Sequence, residues 1–76
     1  MNKKEMVRSH ICDILGKTID EVEDGVSFSN LGVESFSLVN MIIDLQETFK
    51  IRLNQEDLVE VHTIGDLLSL VVSRMK

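Results

Sequence analysis

A serine that opens a long amphipathic segment is the feature of this sequence most suggestive of chemistry. In residues 31–49, LGVESFSLVNMIIDLQETF, Ser35 follows Glu34 and precedes apolar residues with a helical period. A helix start presents unpaired N–H groups and the positive end of the helix dipole, and both stabilise a phosphate. Two interpretations follow for Ser35. It caps the helix, which contributes about 0.5–2 kcal/mol relative to alanine, or it receives a phosphate ester.

Other chemistries lack the residues that they need. Residues 16–18, GKT, resemble the end of a phosphate-binding loop, but Ile11 stands where that motif requires a glycine. His10 and Cys12 are two positions apart, so they do not share a helix face, and His62 stands alone. No Cys or His residues have metal-ligand spacing, and the sequence places no base beside a serine. We therefore predict neither catalytic residues nor a metal site.

The elements that must position Ser35 are predicted to be helices. Apolar residues recur with a helical period in residues 3–15 and 35–49. Thr63 opens a last helix with a T-x-x-D capping box, and residues 55–60 suit a short helix of one or two turns. Residues 16–34 lack such a period and are predicted to form a long, partly structured loop. The predicted fold is all-α: a four-helix bundle of three longer helices and one short helix, with the long loop between the first and second helices.

The same patterns predict the core and the bounds of the first helix. Asn2 with Glu5 is predicted to cap that helix, and Gly16 to end it. The predicted apolar stripe comprises Val7, Ile11, Ile14, Leu15, Leu38, Ile42, Leu45, Phe49, Ile64, Leu67, Leu68, Val71 and Val72, widened by Val39, Met41 and Met75. The loop is expected to be pinned to the core by Ile19, Val22, Val26, Phe28 and Leu31.

Length and composition bound the possible functions. A chain of 76 residues, 43% hydrophobic and 28% charged, is expected to form one soluble globular domain over residues 1–76, too small for a deep catalytic cleft. The sequence has no apolar run of membrane-spanning length and no secretory h-region. Its single cysteine cannot form an internal disulfide. We expect a cytoplasmic monomer.

The charge is unevenly distributed. The net charge is −5, yet residues 13–60 hold eleven acidic and three basic residues. An acidic middle repels nucleic-acid phosphates and attracts basic protein surfaces. We therefore predict a protein partner and no nucleic acid, although an acidic surface also serves solubility alone.

Three segments together resemble the acyl carrier protein family. Residues 28–39, FSNLGVESFSLV, resemble its attachment motif, a Leu-Gly turn followed by Asp-Ser-Leu at the start of the second helix. Residues 45–51, LQETFKI, are similar to its L-E-x-x-F-x-I segment, and residues 63–67, TIGDL, to its T-V-G-D-A/L segment. The segments occur in the family's order and spacing and span almost the whole chain.

The resemblance implies a carrier rather than an enzyme. Ser35 would carry 4′-phosphopantetheine, transferred from coenzyme A by a phosphopantetheinyl transferase that Glu34 assists. The thiol of the arm would hold acyl or aminoacyl groups as thioesters. The protein would ferry these groups between acyl-loading and acyl-using enzymes, which include synthases, ligases and transferases. The absence of linker sequence favours a free-standing carrier.

The sequence also departs from the family pattern. Glu34 replaces the usual Asp, Phe36 the usual Leu, and Asn40 a Glu that is usual in fatty-acid carriers; Lys50 and Arg52 are basic where acids are common. These departures favour a specialised pathway, such as polyketide, nonribosomal peptide or modified-lipid synthesis.

The second helix is expected to meet the partners. Its predicted partner-facing residues are Phe36, Val39, Asn40 and Asp44. If the acyl chain folds inward, the predicted wall residues are Ile42, Val59, Val61 and Leu68, although plain packing explains these four as well. The alternative function is an unmodified helical protein-interaction module in which Ser35 is only a helix cap.

Overall fold

The computed structural model describes residues 2–75 of the chain. Within them the only pairing of extended backbone is an isolated bridge between Ser27 and Thr63. The predicted all-α fold, with a long loop between the first two long helices, is confirmed. The helices are α1 (Lys3–Leu15), α2 (Ser35–Phe49), α3 (Gln55–Leu58) and α4 (Ile64–Arg74), and the loop contains a 3₁₀ turn at Ile19–Glu21.

The third helix is shorter than predicted. It was expected over residues 55–60 but ends at Leu58, and Val59 follows as its C-cap. The N–H of Val59 donates to the carbonyl of Glu56 at 3.4 Å, and that of Val61 to Leu58 at 3.2 Å. These bonds span three residues, which is the tighter pattern of a turn. One helical turn is therefore all that this segment forms.

Local capping explains where α1 begins and ends. The N–H of Glu5 donates to Asn2 Oδ1 at 2.8 Å. Gly16 adopts a left-handed φ of 67°, and its N–H donates to the carbonyl of Cys12. Both bounds agree with the prediction, because each depends on residues adjacent in sequence.

Helix α2 ends without a glycine at its C-cap. Lys50 takes the left-handed conformation there, with φ 57°, and its N–H donates to the carbonyl of Gln46. The N–H of Ile51 donates to the same carbonyl at 3.1 Å. A non-glycine residue is strained in this region, so the packing of the residues that follow α2 must hold it there.

The core lies between α1, α2 and α4, and α3 and the loop close over it. Most predicted core positions are buried or half-buried. Ile19 and Val39 are corrections, because both side chains are exposed. Ile19 lies in the 3₁₀ turn on the surface, and Val39 is about 100° round the helix from Leu38. The buried apolar residues are Val7, Ile11, Cys12, Val22, Phe28, Met41, Ile42, Leu45, Leu53, Val61, Ile64, Leu67, Leu68 and Val71.

The long loop is fixed to α1 by a buried arginine. Arg8 Nη1 donates to the carbonyl of Val22 at 2.6 Å, and Nη2 pairs with the carboxylate of Asp24. Lys4 also donates to Asp24. The guanidinium is buried without being left unpaired, which a buried charge requires.

The same loop is fixed to the start of α4 through its backbone. The N–H of Ile64 donates to the carbonyl of Val26 at 2.9 Å, and that of Gly65 to Asp24 at 2.8 Å. A β-carbon on Gly65 would lie 3.0 Å from the Asp24 carbonyl oxygen, so any larger residue would press the loop away from this close approach. The loop thus reaches the start of α2 from a fixed position. None of the helices within residues 2–75 has the length and apolar character needed to cross a membrane.

Candidate functional site

Ser35 is the first residue of α2 and is exposed. Glu34 occupies the N-cap position, with extended backbone, and its side chain makes no capping hydrogen bond. The first helical bond runs from the N–H of Leu38 to the carbonyl of Glu34 at 2.9 Å. The alternative interpretation, in which Ser35 is the N-cap, is therefore wrong: Ser35 lies one position too far along the chain.

This arrangement leaves donors and a hydroxyl at the helix start. The N–H groups of Ser35, Phe36 and Ser37 make no hydrogen bond to any group in residues 2–75, nor does the Ser35 hydroxyl. Exposed N–H groups at the positive end of a helix dipole stabilise an anion. A phosphate ester on Ser35 fits this position, because its oxygens could accept the unpaired donors.

The turn before α2 presents Ser35 to solvent. Gly32 takes a left-handed φ of 72°, and the N–H of Val33 donates to the carbonyl of Phe28 at 2.9 Å. Phe28 is buried in the core and anchors the turn. Glu34 and Ser35 therefore emerge together from a fixed turn, and both are exposed.

The predicted wall residues do not surround one cavity. Ile42 and Leu68 are packed in the core, and Val61 lines a cavity of about 310 Å³ that Ser35 also lines. Val59 is 72% exposed and is not a wall residue. It follows the end of α3, where the chain turns outward. A second cavity, of about 520 Å³, lies on the α1 side of α2 and does not include Ser35.

The outward side of α2 is more apolar than the sequence prediction stated. Phe36 is 76% exposed, Val39 53% and Ile43 48%. We call these three residues the α2 apolar face. Ile43 was not predicted to lie here, although its spacing of four from Val39 and seven from Phe36 indicates the same face. Asn40 is exposed beside them.

Asp44 lies one helical turn after Asn40, is partly exposed and also contacts α1. Its Oδ1 is 2.9 Å from His10 Nε2 on α1 and accepts a hydrogen bond from Thr48 Oγ1 at 2.8 Å. These bonds, that from His10 above all, lower the pKa of the Asp44 carboxyl. The His10 ring also meets Phe49 edge-on, with centroids 5.7 Å apart. Asp44 thus joins α1 to α2, a contact that the sequence prediction missed because it joins residues 34 positions apart.

Comparison with known proteins agrees with this geometry. A family model described as "Phosphopantetheine attachment site" matches residues 5–71. The chain belongs to the acyl carrier protein family. Members of this family carry groups on a covalent 4′-phosphopantetheine and are not enzymes. Within residues 2–75, no group of three or more His, Cys, Asp or Glu could hold a metal ion.

Individual carriers match this chain over most of their length. It is 29% identical over 70 residues to the acyl carrier protein of Exiguobacterium sp., covering 91% of this chain and 89% of the relative. It is 29% identical over 75 residues to that of Chlamydia caviae, covering 97% of each. The acyl carrier protein of Thermotoga maritima is 29% identical over 70 residues, with 91% and 86% covered.

Proposed function

We propose that Ser35 carries the 4′-phosphopantetheine arm and that the chain ferries acyl or aminoacyl groups as thioesters between the enzymes of a specialised pathway. One observation supports Ser35 above all: it is an exposed hydroxyl at a helix start whose N–H groups are unpaired. Ser35 Oγ, losing its proton, attacks the phosphorus of coenzyme A that bears the pantetheine. The new Oγ–P bond replaces the pyrophosphate bond, 3′,5′-adenosine bisphosphate leaves, and the transferase supplies the catalysis. The arm provides a thiol on which thioesters form.

Glu34 is proposed to assist the transferase. Its carboxylate is exposed, precedes Ser35 directly and is not used as a cap. It is therefore available to bind a Mg²⁺ ion held by the transferase or a basic group of that enzyme. The acidic residues between positions 13 and 60 would favour approach of a basic partner surface in the same way.

The α2 apolar face, with Asn40 and the partly exposed Asp44, is proposed to dock the enzymes that load and use the cargo. Its exposed apolar side chains lie on the helix that Ser35 opens, so a partner bound there would also meet the arm. Among the large apolar residues within residues 2–75, Phe36 is the most exposed. Aromatic anchors of this kind often dominate binding energy at interfaces.

Four surface residues support a specialised pathway, which we propose operates in the cytoplasm. Phe36, Asn40, Lys50 and Arg52 are exposed and differ from the pattern expected of a fatty-acid carrier. Since they do not serve the core, their identity is free to follow the partner enzymes. The pathway proposed is polyketide, nonribosomal peptide or modified-lipid synthesis.

Intact-mass measurement tests the attachment site. The purified chain is incubated with coenzyme A, Mg²⁺ and a promiscuous phosphopantetheinyl transferase, beside Ser35→Ala and Ser37→Ala. Ser37 is a matched control, because it is also exposed and lies two residues further along α2. We expect wild type and Ser37→Ala to gain one phosphopantetheine and Ser35→Ala to gain none.

The opposite patterns are equally informative. Gain on Ser35→Ala but not on Ser37→Ala would move the attachment to Ser37. If no folded variant gained mass, the chain would act as an unmodified interaction module that uses the α2 apolar face.

A further inference from the structure

The cavity beside Ser35 has an apolar floor and a polar rim. It measures about 310 Å³ and lies between the long loop, α2 and the connection from α3 to α4. Phe28 and Val61 are buried and Leu38 is half-buried, and these form the floor. Ser29 and His62 are exposed and line the same cavity as Ser35. Its polar residues therefore border the proposed attachment point.

His62 is held at this rim by its backbone while its ring remains unpaired. Its carbonyl accepts from the N–H of Phe28 at 3.1 Å, and its own N–H donates to Asp66 Oδ2 at 3.0 Å. The imidazole makes no hydrogen bond to any group in residues 2–75, nor does the Ser29 hydroxyl. Because both side chains are exposed and have no partner within residues 2–75, a polar ligand would replace only their hydrogen bonds to water and would disrupt none within the protein.

We infer that this cavity selects a short acyl group that bears a hydrogen-bonding substituent, and that His62 is the specificity-determining residue that bonds the substituent. The inference rests on the proposed attachment of the arm to Ser35. It goes further by naming the class of cargo, such as a short hydroxyacyl or aminoacyl group.

Size and polarity both support this class. A volume of about 310 Å³ is at the low end of the roughly 300–1,000 Å³ that is usual for small-molecule sites. A long alkyl chain would have to open the packed core around Ile42 and Leu68, which are buried. An alkyl group at the rim would also remove water from polar groups without replacing their hydrogen bonds, which is unfavourable.

The 520 Å³ cavity on the other side of α2 is a poorer candidate. Its lining includes Met41, Asn40 and Asp44 but not Ser35. The Asp44 carboxylate there already pairs with His10 and Thr48. The cavity beside Ser35 is the better candidate because Ser35, the proposed attachment point, itself lines it.

Two cargoes that differ by one hydroxyl provide the test. The transferase loads the chain from coenzyme A, butyryl-coenzyme A, 3-hydroxybutyryl-coenzyme A or octanoyl-coenzyme A, and intact mass verifies each product. Proton–nitrogen and histidine-ring spectra are then recorded by NMR. The chain has two histidines, so His10, which contacts α2 from α1, serves as an internal reference for His62.

We expect 3-hydroxybutyryl to shift the His62 ring and the amides of Phe28 and Ser29 relative to the arm alone. Butyryl should shift them less, octanoyl should not enter, and the His10 ring should not move. In His62→Leu the difference between butyryl and 3-hydroxybutyryl should disappear while the helical circular dichroism stays unchanged.

Failure of the inference and failure of the proposed function give different results. If Ser35 gains no mass, the proposed function is wrong. Should Ser35 load normally but the two four-carbon cargoes give identical His62 shifts, the cargo inference alone is overturned. Contacts from octanoyl to Ile42 or Leu68 would also overturn it, by placing long alkyl cargo in the core.

Discussion

Replacing Leu45 by alanine should remove a large part of the stability of this domain. Leu45 is at the middle of the inner face of α2 and is 0% exposed. The substitution deletes three buried carbon groups, a transfer loss of about 2.4 kcal/mol at about 0.8 kcal/mol each. Incomplete collapse of the cavity raises the expected loss toward about 5 kcal/mol. A folded chain of 76 residues has a total stability of about 4–11 kcal/mol.

Thermal and urea unfolding followed by circular dichroism measure this loss. A loss of about 2.5 kcal/mol lowers the melting temperature of a domain this small by about 10–20 °C. Val39→Ala is the matched control: it lies on the same helix but is 53% exposed, and it should change stability by less than about 0.5 kcal/mol. If Leu45→Ala melted within a few degrees of wild type, or no lower than Val39→Ala, the assignment of the inner face of α2 would be refuted.

Three further predictions concern the loop, acid stability and docking. Gly65→Ala should destabilise the fold by about 1–3 kcal/mol through overpacking, because its new β-carbon would press on the Asp24 carbonyl. Gly25→Ala is the control and should not destabilise the fold, because a β-carbon there meets nothing within 4 Å. Equal urea midpoints for the two variants would contradict the predicted overpacking at Gly65. Backbone N–H groups at the start of α4 lower the pKa of Asp66, so its contribution is present above the unfolded pKa of about 3.9 and is lost as pH falls through the folded value. Asp66→Asn should therefore lose less stability than wild type on acidification. An equal fall in the melting temperatures of Asp66→Asn and wild type between neutral and acid pH would argue against this role of Asp66. Phe36→Ala should leave the melting temperature unchanged, because the side chain is 76% exposed, yet slow cargo transfer by a partner enzyme; unchanged transfer rates would remove Phe36 from the docking surface.

Much of the helical framework could be predicted because it depends on neighbours in sequence. The caps of α1 and α4 join residues three positions apart, as Thr63 and Asp66 do at 3.1 Å in both directions. The apolar stripe of α4 needs only the helical period, and its predicted residues Ile64, Leu67 and Leu68 are all buried. Short-range hydrogen bonds and periodicity are properties that a sequence displays directly.

The sequence indicated that Ser35 lies at a helix start, but it did not give the local geometry of that start. The pattern around Ser35 indicated a helix start, and the family comparison places a phosphopantetheine attachment site in this chain. The sequence did not show which residue caps α2, because Glu34 takes the N-cap position without a side-chain hydrogen bond. The turn before α2, which Phe28 anchors, decides where the helix begins. A start one residue earlier in the chain makes Ser35 a helical residue with an unpaired hydroxyl and not the N-cap.

Sequence alone determined the three long helices, the acidic surface and the serine at the start of α2. Each of these depends only on neighbouring residues or on composition. Tertiary structure alone decided which surfaces those helices share. It paired Asp44 with His10, turned Val59 outward and brought His62 to the cavity beside Ser35. The physical reason is that these contacts join residues far apart along the chain. They form only when burial of the common core fixes the helices against one another.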